Sequence, residues 1–382
     1  MSKTIVNSKA VNQRVLGIVI LFVLIVSIIT IVAVKNMNNN DNKLVTIYGA
    51  IGGGKENLLA DKEFQSILKD KYNIDVVNDT WSNGQLVKRS VLRADNSNYD
   101  FVFFSDQRFY DYYKTAANKD LGEADRETVL RGSLTLNTPI VIYSWDIVVD
   151  ALIKENIVSE SNGTYYITDM NKLLNYILEG KTWKEIGIDS LYGRVNIDST
   201  DPVSSSPGAT YYGLLLSIMC GGEVNEQNIE QTLPKLREFY EKSGYMNNTP
   251  ADLFEMYLKT GVGAKPMIVD YEKSIIDFAN ANPDGYNQVK DKIRILYPVP
   301  TIWNSHCIAT LTESGNTYYE AFNDKDIQQL AWSNYGFRTG VTGGSYDVTQ
   351  VSVLGIPQSI DSTVSGLRMG IYNRLIEFLS NK

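Results

Sequence analysis

Gly49, Gly54 and Lys55 stand in the spacing of a nucleotide-binding loop: glycine, four residues, glycine, lysine. The next residue of such a loop is Ser or Thr, whose hydroxyl holds Mg²⁺ while backbone N–H groups cradle the phosphates. Here it is Glu56, which has no hydroxyl and sets a carboxylate beside the phosphate charge. A glycine-rich turn from strand to helix still offers bare N–H groups to an anion or a polar ligand. It serves equally as a plain corner whose acidic residue complements the helix dipole. The residue types argue against Mg·ATP and leave two readings, ligand loop or tight turn.

Other chemistry-bearing residues are sparse. DPVSSSPG places Ser204, Ser205 and Ser206 before an apolar helix, with Pro207 suited to its first turn. One of Ser205 and Ser206 suits the N-cap, and the others are free to donate to ligand oxygens. Ser105 and Asp106 end an apolar strand, and Asn83 falls in a turn between strand and helix. The chain has one histidine, His306, and two cysteines, Cys220 and Cys307. Zinc sites built from His and Cys, and mechanisms needing two histidines, are therefore excluded. No metal or cofactor site is expected. His306 reads as a packed residue of a strand, and the two cysteines as unpaired thiols rather than a disulfide framework. No nucleophile with a base stands out, so the chain does not read as an enzyme. A hydrolase using carboxylates such as Asp201 and Glu272 is the weakest alternative.

Strands and helices alternate around these residues. KLVTIY leads through the glycine loop into a helix over about 55–70, with Leu58, Leu59, Phe64, Ile67 and Leu68 on one face. NIDVVND reads as a second strand, SNGQLVKRSVLRA as a helix and DFVFFSD as a third strand. This βαβαβ order predicts an α/β fold with a mostly parallel sheet, its ligands bound beyond the strands' carboxyl ends. A second α/β unit begins at TPIVIYSWDIVV. Helices are predicted over 169–180, 182–187 and 228–242, with a strand at GRVNIDST and the helix ATYYGLLLSIMC. GVGAKPMIVDYEKSIIDFA runs from strand to helix. Residues 292–311 read as a long extended segment broken by Pro298 and Pro300, and helices close the chain near 316–333 and 363–380.

Val15 to Val34 is a run of twenty residues with no charge and no proline. At about 1.5 Å per residue such a helix spans a hydrocarbon core of roughly 30 Å. Lys3, Lys9 and Arg14 precede it, which keeps the N-terminus cytoplasmic and sends the rest outside. The segment reads as an uncleaved signal anchor, with a cleaved signal peptide as the lesser alternative, followed by the Asn-rich tether NMNNNDN. The expected localisation is the cell membrane, single-pass, with the large domain extracytoplasmic. ATP is scarce there, which weakens the nucleotide reading further. The whole chain has 36 basic and 44 acidic residues and a net charge of −8. Residues 1–43 hold five basic residues and one acidic, so the remainder is more acidic still. Nucleic acid and anionic membrane surfaces are poor partners for it.

The order of motifs resembles the extracellular solute-binding proteins of ABC importers, the type II periplasmic-binding-protein fold, in its molybdate- and tungstate-like anion-binding branch. DSTDPVSSSPGA (198–209) resembles the family's second ligand loop. IVDYEK (268–273) resembles a strand ending in a Tyr-Glu pair, and LYPVPTIWNSH (296–306) a hinge return. YEAFNDKDIQQLAWSNYGFR (319–338) resembles the helix and GFRP turn near the family's C-terminus. Thr339 replaces that proline, and an anchor replaces the lipidated cysteine or cleaved signal. The resemblance implies a two-lobed fold with a central hinge. Lobe 1 would be residues 44–143 plus 304–382, and lobe 2 residues 144–303, after the anchor and tether of residues 1–43. It implies a monomer that closes on a small anionic or polar solute and delivers it to an ABC permease or another membrane partner. Site residues on this reading are Gly52, Gly53, Gly54, Lys55, Asn83, Ser105, Asp106, Thr200, Asp201, Ser204, Ser205, Ser206, Tyr271 and Glu272. The carboxylates among them repel an anion, so each points away or meets a cationic or hydroxyl group. A ligand-sensing or scaffold protein of the cell envelope with the same fold is the alternative.

Overall fold

The computed structural model describes residues 44–87, 93–95, 97–116, 129–244, 246 and 249–381. The segment Val15–Val34 and the tether lie outside the described residues. Among the described residues no helix is long and apolar enough to cross a membrane.

The chain opens with β1 (Val45–Gly52), α1 (Glu56–Leu59), α2 (Lys62–Tyr72) and β2 (Ile74–Trp81). α3 (Asn83–Leu86) is four residues of the helix expected over 82–94 and ends at its C-cap, Val87, while residues 93–95 are not helical; β3 (Phe101–Phe104) and α4 (Gln107–Ala116) follow. β1 and β3 pair in parallel, with Gly49 opposite Phe101, as the βαβ order requires. All four residues of β3 are buried. Phe101 and Phe103 pack with Phe64 and Leu68 of α2, and Val102 and Phe104 pack with Tyr110 and Tyr113 of α4. Helices on both faces explain why β3 is apolar throughout rather than alternating.

The next elements are β4 (Arg131–Trp145), α5 (Asp146–Lys154), β5 (Val158–Ser161), β6 (Thr164–Ile167) and α6 (Met170–Glu179). Then come α7 (Ser206–Met219), α8 (Glu226–Lys242), α9 (Pro250–Thr260), β7 (Met267–Tyr271), α10 (Lys273–Ala281) and α11 (Pro283–Val289). β8 (Ile293–Pro298), β9 (Thr301–Thr310), α12 (Glu313–Ala321), α13 (Lys325–Tyr335), β10 (Arg338–Thr339), β11 (Thr363–Val364) and α14 (Met369–Ser380) complete the order.

β4 is the spine. Its first part, to Pro139, pairs antiparallel with β9, and Leu136 and Asn137 also face β10. From Ile140 onward its partners are β7 and β8, again antiparallel. One strand thus runs through two sets of partners, and the sheet order is β2-β1-β3-β9-β4-β8-β6-β5. The sheet is mixed, not mostly parallel as the helix–strand alternation predicted. The difference arises where β4 and β9 run alongside each other in opposite senses, out along one and back along the other. Period-two alternation sorts the far part of β4: Ile140 and Ile142 join the core under α5, α6 and α7, while Val141, Tyr143 and Trp145 join that of α9 and α10.

Several local expectations are corrected. GRVNIDST forms no strand, only isolated bridge residues, among them Arg194 to Thr182 and Asp198 to Ile268, and residues 182–187 hold a 3₁₀ turn, Lys184–Ile186. The helix expected over 316–333 is two helices, because the Asp324 carboxylate accepts from Asp326 N and starts α13 afresh. The last helix begins at Met369 rather than 363. α9 was missing from the sequence reading, although Thr249 at the N-cap and Pro250 behind it are standard start signals. α7 is buried along almost its whole length, as an all-round apolar helix must be. Cys220 and Cys307 are free thiols.

Candidate functional site

The glycine loop folds onto itself. Gly54 takes φ +89°, a left-handed conformation that glycine adopts without strain. Its N–H donates to the Glu56 carboxylate at 2.6 Å. Glu56, which denies the loop a Mg²⁺ hydroxyl, is therefore the residue that ties the turn. Lys55 is 1% exposed. Its ammonium donates to Gly52 O at 2.5 Å and lies 4.5 Å from the Phe103 ring centroid. Burial pulls its pKa down to about 7, against the opposing pull of Glu56. Among the described residues no carboxylate comes within ion-pairing distance of it.

Behind this loop, Ser105 N donates to Asn83 Oδ1 at 3.1 Å, and Asn83 Nδ2 returns a bond to Ser105 Oγ at 2.8 Å. Gly52 has to be glycine here, since an added Cβ would stand 2.8 Å from both Asn83 Oδ1 and Ser105 Oγ. Asn304 Nδ2 donates to Ser105 O at 3.0 Å. Asn304 Oδ1 and His306 Nδ1 are buried and have no partner in the structure. His306 packs edge-on against Phe337 at 5.1 Å, and burial holds its pKa well below the ordinary histidine range. It is neutral at pH 7, a polar group and not a cation.

The serine loop approaches from far along the chain. Ser205 occupies the N-cap of α7, but its hydroxyl donates to Thr200 Oγ1 at 2.8 Å and makes no cap. The first N–H groups of α7 are therefore left without a side-chain partner. α1 also begins without a side-chain cap, whereas at the start of α10 Lys273 N donates to Thr138 Oγ1 and Ile275 N to Tyr143 OH, both at 3.3 Å. Gly208 is needed where the helix meets the loop, because a Cβ there would lie 2.2 Å from Thr200 O.

These pieces line one cavity of about 970 Å³. Of the residues singled out in the sequence, Gly53, Gly54, Lys55, Asn83, Ser105, Ser204, Ser205, Ser206 and Tyr271 line it. Gly52, Asp106, Thr200, Asp201 and Glu272 do not. Asp106 accepts a two-pronged pair from Arg108, whose Nε lies 3.0 Å from each carboxylate oxygen. Asp201 accepts from Val203 N at 2.9 Å. Glu272, fully buried, accepts from Arg338 Nε at 2.6 Å, Arg338 Nη2 at 2.7 Å and Tyr297 OH at 2.6 Å. Each of these three carboxylates is turned to a partner of its own; Asp270, which does line the cavity, is buried, accepts from Tyr271 N at 2.7 Å and has its pKa raised to about 6 by burial. Tyr271 OH is buried with no hydrogen-bond partner, and burial raises its pKa, so it stays a phenol.

The sequence reading missed much of the wall. Asn304 and Phe337 line the cavity, as do Thr249, Phe254 and Leu258 at and along α9, and Lys273 and Phe278 of α10. Asn304 carried a signal, being an amide inside the otherwise apolar strand TIWNSHCIAT.

No protein-family model and no curated protein matches the sequence. Solved structures do match in three dimensions. An ABC transporter from Clostridium perfringens ATCC 13124 is 15% identical, covers 88% of this chain and 98% of its own, and superposes with a TM-score of 0.54. The chain has the fold of the ABC-transporter solute-binding proteins. Iron-bound HitA from Pseudomonas aeruginosa is 11% identical over 88% of this chain and 97% of its own, with a TM-score of 0.56. Trichodesmium IdiA (FutA), in complex with iron and citrate ligands, is 12% identical over 88% and 98%, also at 0.56.

Proposed function

We propose that the chain is a membrane-anchored, extracytoplasmic solute-binding protein that captures a small anionic or polar solute between two lobes for an ABC-type importer. One observation carries the reading. Gly53–Lys55 and Ser204–Ser206, some 150 residues apart in sequence, line the same cavity at helix starts that lack side-chain caps. Unsatisfied N–H donors around a cavity suit ligand oxygens. The anchor is the apolar run Val15–Val34, and the permease is the partner such a fold would serve.

The lobes divide, on this proposal, where β4 changes partners at Pro139–Ile140 and where the chain returns between β8 and β9. α14 goes to the second lobe, since Leu375 and Leu379 pack in the same core as Leu233 and Leu236 of α8. The iron of HitA and of IdiA is not carried over: among the described residues no group of three or more His, Cys, Asp and Glu could hold a metal ion.

The test is a thermal-unfolding screen of the full-length chain against oxyanions, phosphate esters, amino acids and sugars. A specific ligand at a hundred times its dissociation constant adds about 2.7 kcal/mol to stability. A hit that is lost on Ser206→Ala supports the reading. A screen in which no compound class shifts unfolding refutes it.

A further inference from the structure

The cavity wall is divided by chemistry as well as by element. Lys55, Ser105, Ser206 and Asn304 supply polar groups, from the glycine loop, the end of β3, the start of α7 and β9. Phe254, Leu258, Phe278 and Val289 supply an apolar face from α9, α10 and α11. Phe254 and Phe278 meet edge to face, with ring centroids 6.1 Å apart and planes at 69°. Phe254 is buried in one core cluster and the other three are half-buried against it, so the face is one packed piece. Hinge motion does not take it apart. An apolar wall facing water carries a cost that an apolar ligand removes.

Size permits a ligand with such a body. On the scale of about 30 Å³ per water, a bare tetrahedral oxyanion takes on the order of 100 Å³. The cavity offers about 970 Å³.

Charge decides the other end of the ligand. Lys259 pairs with Glu255, and Lys273 lies 3.9 Å from Asp277. The Glu56 carboxylate is held by Gly54 N. Lys55 alone among these lysines has a carbonyl and an aromatic ring where a counter-ion would stand. A buried ammonium without a counter-charge is the group an anionic ligand neutralises.

We infer that the solute is an organic anion with an apolar body, its charged group facing the Lys55 loop and its body lying on the Phe254–Phe278 face. The inference rests on the solute-binding reading and narrows it from any small polar solute to this class. It excludes the bare oxyanions that the molybdate-like resemblance implied.

Calorimetric titration of the full-length chain at pH 7 with 3-phenylpropionate, 3-phenylpropanol, acetate and molybdate tests it. The expected result is that 3-phenylpropionate binds at least tenfold more tightly than the other three. Phe278→Ala, with an unchanged circular-dichroism spectrum, should then weaken 3-phenylpropionate about tenfold, and Lys55→Met should weaken it at least as much. Molybdate or acetate binding as tightly as 3-phenylpropionate overturns the apolar body and leaves the solute-binding reading standing. Equal binding of the alcohol overturns the anionic group and likewise leaves that reading. If none of the four binds and the thermal-unfolding screen is also blank, both fail together.

Discussion

Glu272 and Arg338 form the most consequential ion pair for stability, because they join the two sets of strands that share β4. Glu272 follows β7, which pairs with the far part of β4; Arg338 lies in β10, which pairs with Leu136 and Asn137 before the change of partners. Both side chains are buried, at 0% and 1% exposure. Glu272→Gln removes the counter-charge while keeping the volume. Breaking a buried pair by removing one partner costs about 3–5 kcal/mol, because the other charge stays buried and uncompensated. Arg338 would keep Pro357 O at 2.8 Å, Gln358 O at 3.3 Å and Tyr346 OH at 2.6 Å. Three neutral acceptors place the loss near the lower end, about 3 kcal/mol. With a urea slope of about 3 kcal/mol per molar, the unfolding midpoint should fall by about 1 M, read by tryptophan fluorescence. The double variant Glu272→Gln, Arg338→Met leaves no buried charge at this site and should recover most of the loss. A midpoint within about 0.2 M of the unmodified chain for the single variant, or a double variant no better than the single, refutes the argument.

Lys55 gives a pH signature. Its pKa of about 7 lies below its ordinary 10.5, so between those values the unfolded chain binds more protons and the folded chain gains stability as pH rises. Lys55→Met should therefore be more stable than the unmodified chain below pH 7, with the advantage shrinking toward pH 10; urea midpoints at pH 6, 8 and 9.5 check it, and a difference that stays flat with pH counts against it. Gly208→Ala should cost about 1–3 kcal/mol by forcing the start of α7 away from Thr200, and should weaken any solute the unmodified chain binds; an unchanged melting temperature would show that the 2.2 Å approach to Thr200 O is not a constraint. Protease added to intact cells should digest the large domain if Val15–Val34 anchors it outside, whereas protection until lysis would reverse the orientation.

What was legible in the sequence was local. The glycine loop, the serine loop and the start of α7 announce themselves through residues whose backbone needs are short-range: positive φ at Gly54, a missing N–H at Pro207. The apolar run of β3 and the period-two alternation of β4 follow from covering helices, again a pattern written along a few residues. The destination of a carboxylate is a different kind of fact. Asp106 and Glu272 read alike as acids at strand ends, and both turn out to be held by arginines, one two residues away and the other sixty-six. Removing a carboxylate from water is costly unless a cation meets it, so each acid goes where the fold brings a guanidinium. No spacing rule over a dozen residues encodes that meeting for Glu272. The same logic exposes Lys55. It is buried as completely as those acids, yet the fold brings it no carboxylate, and the cavity it lines is where the missing charge has room to arrive.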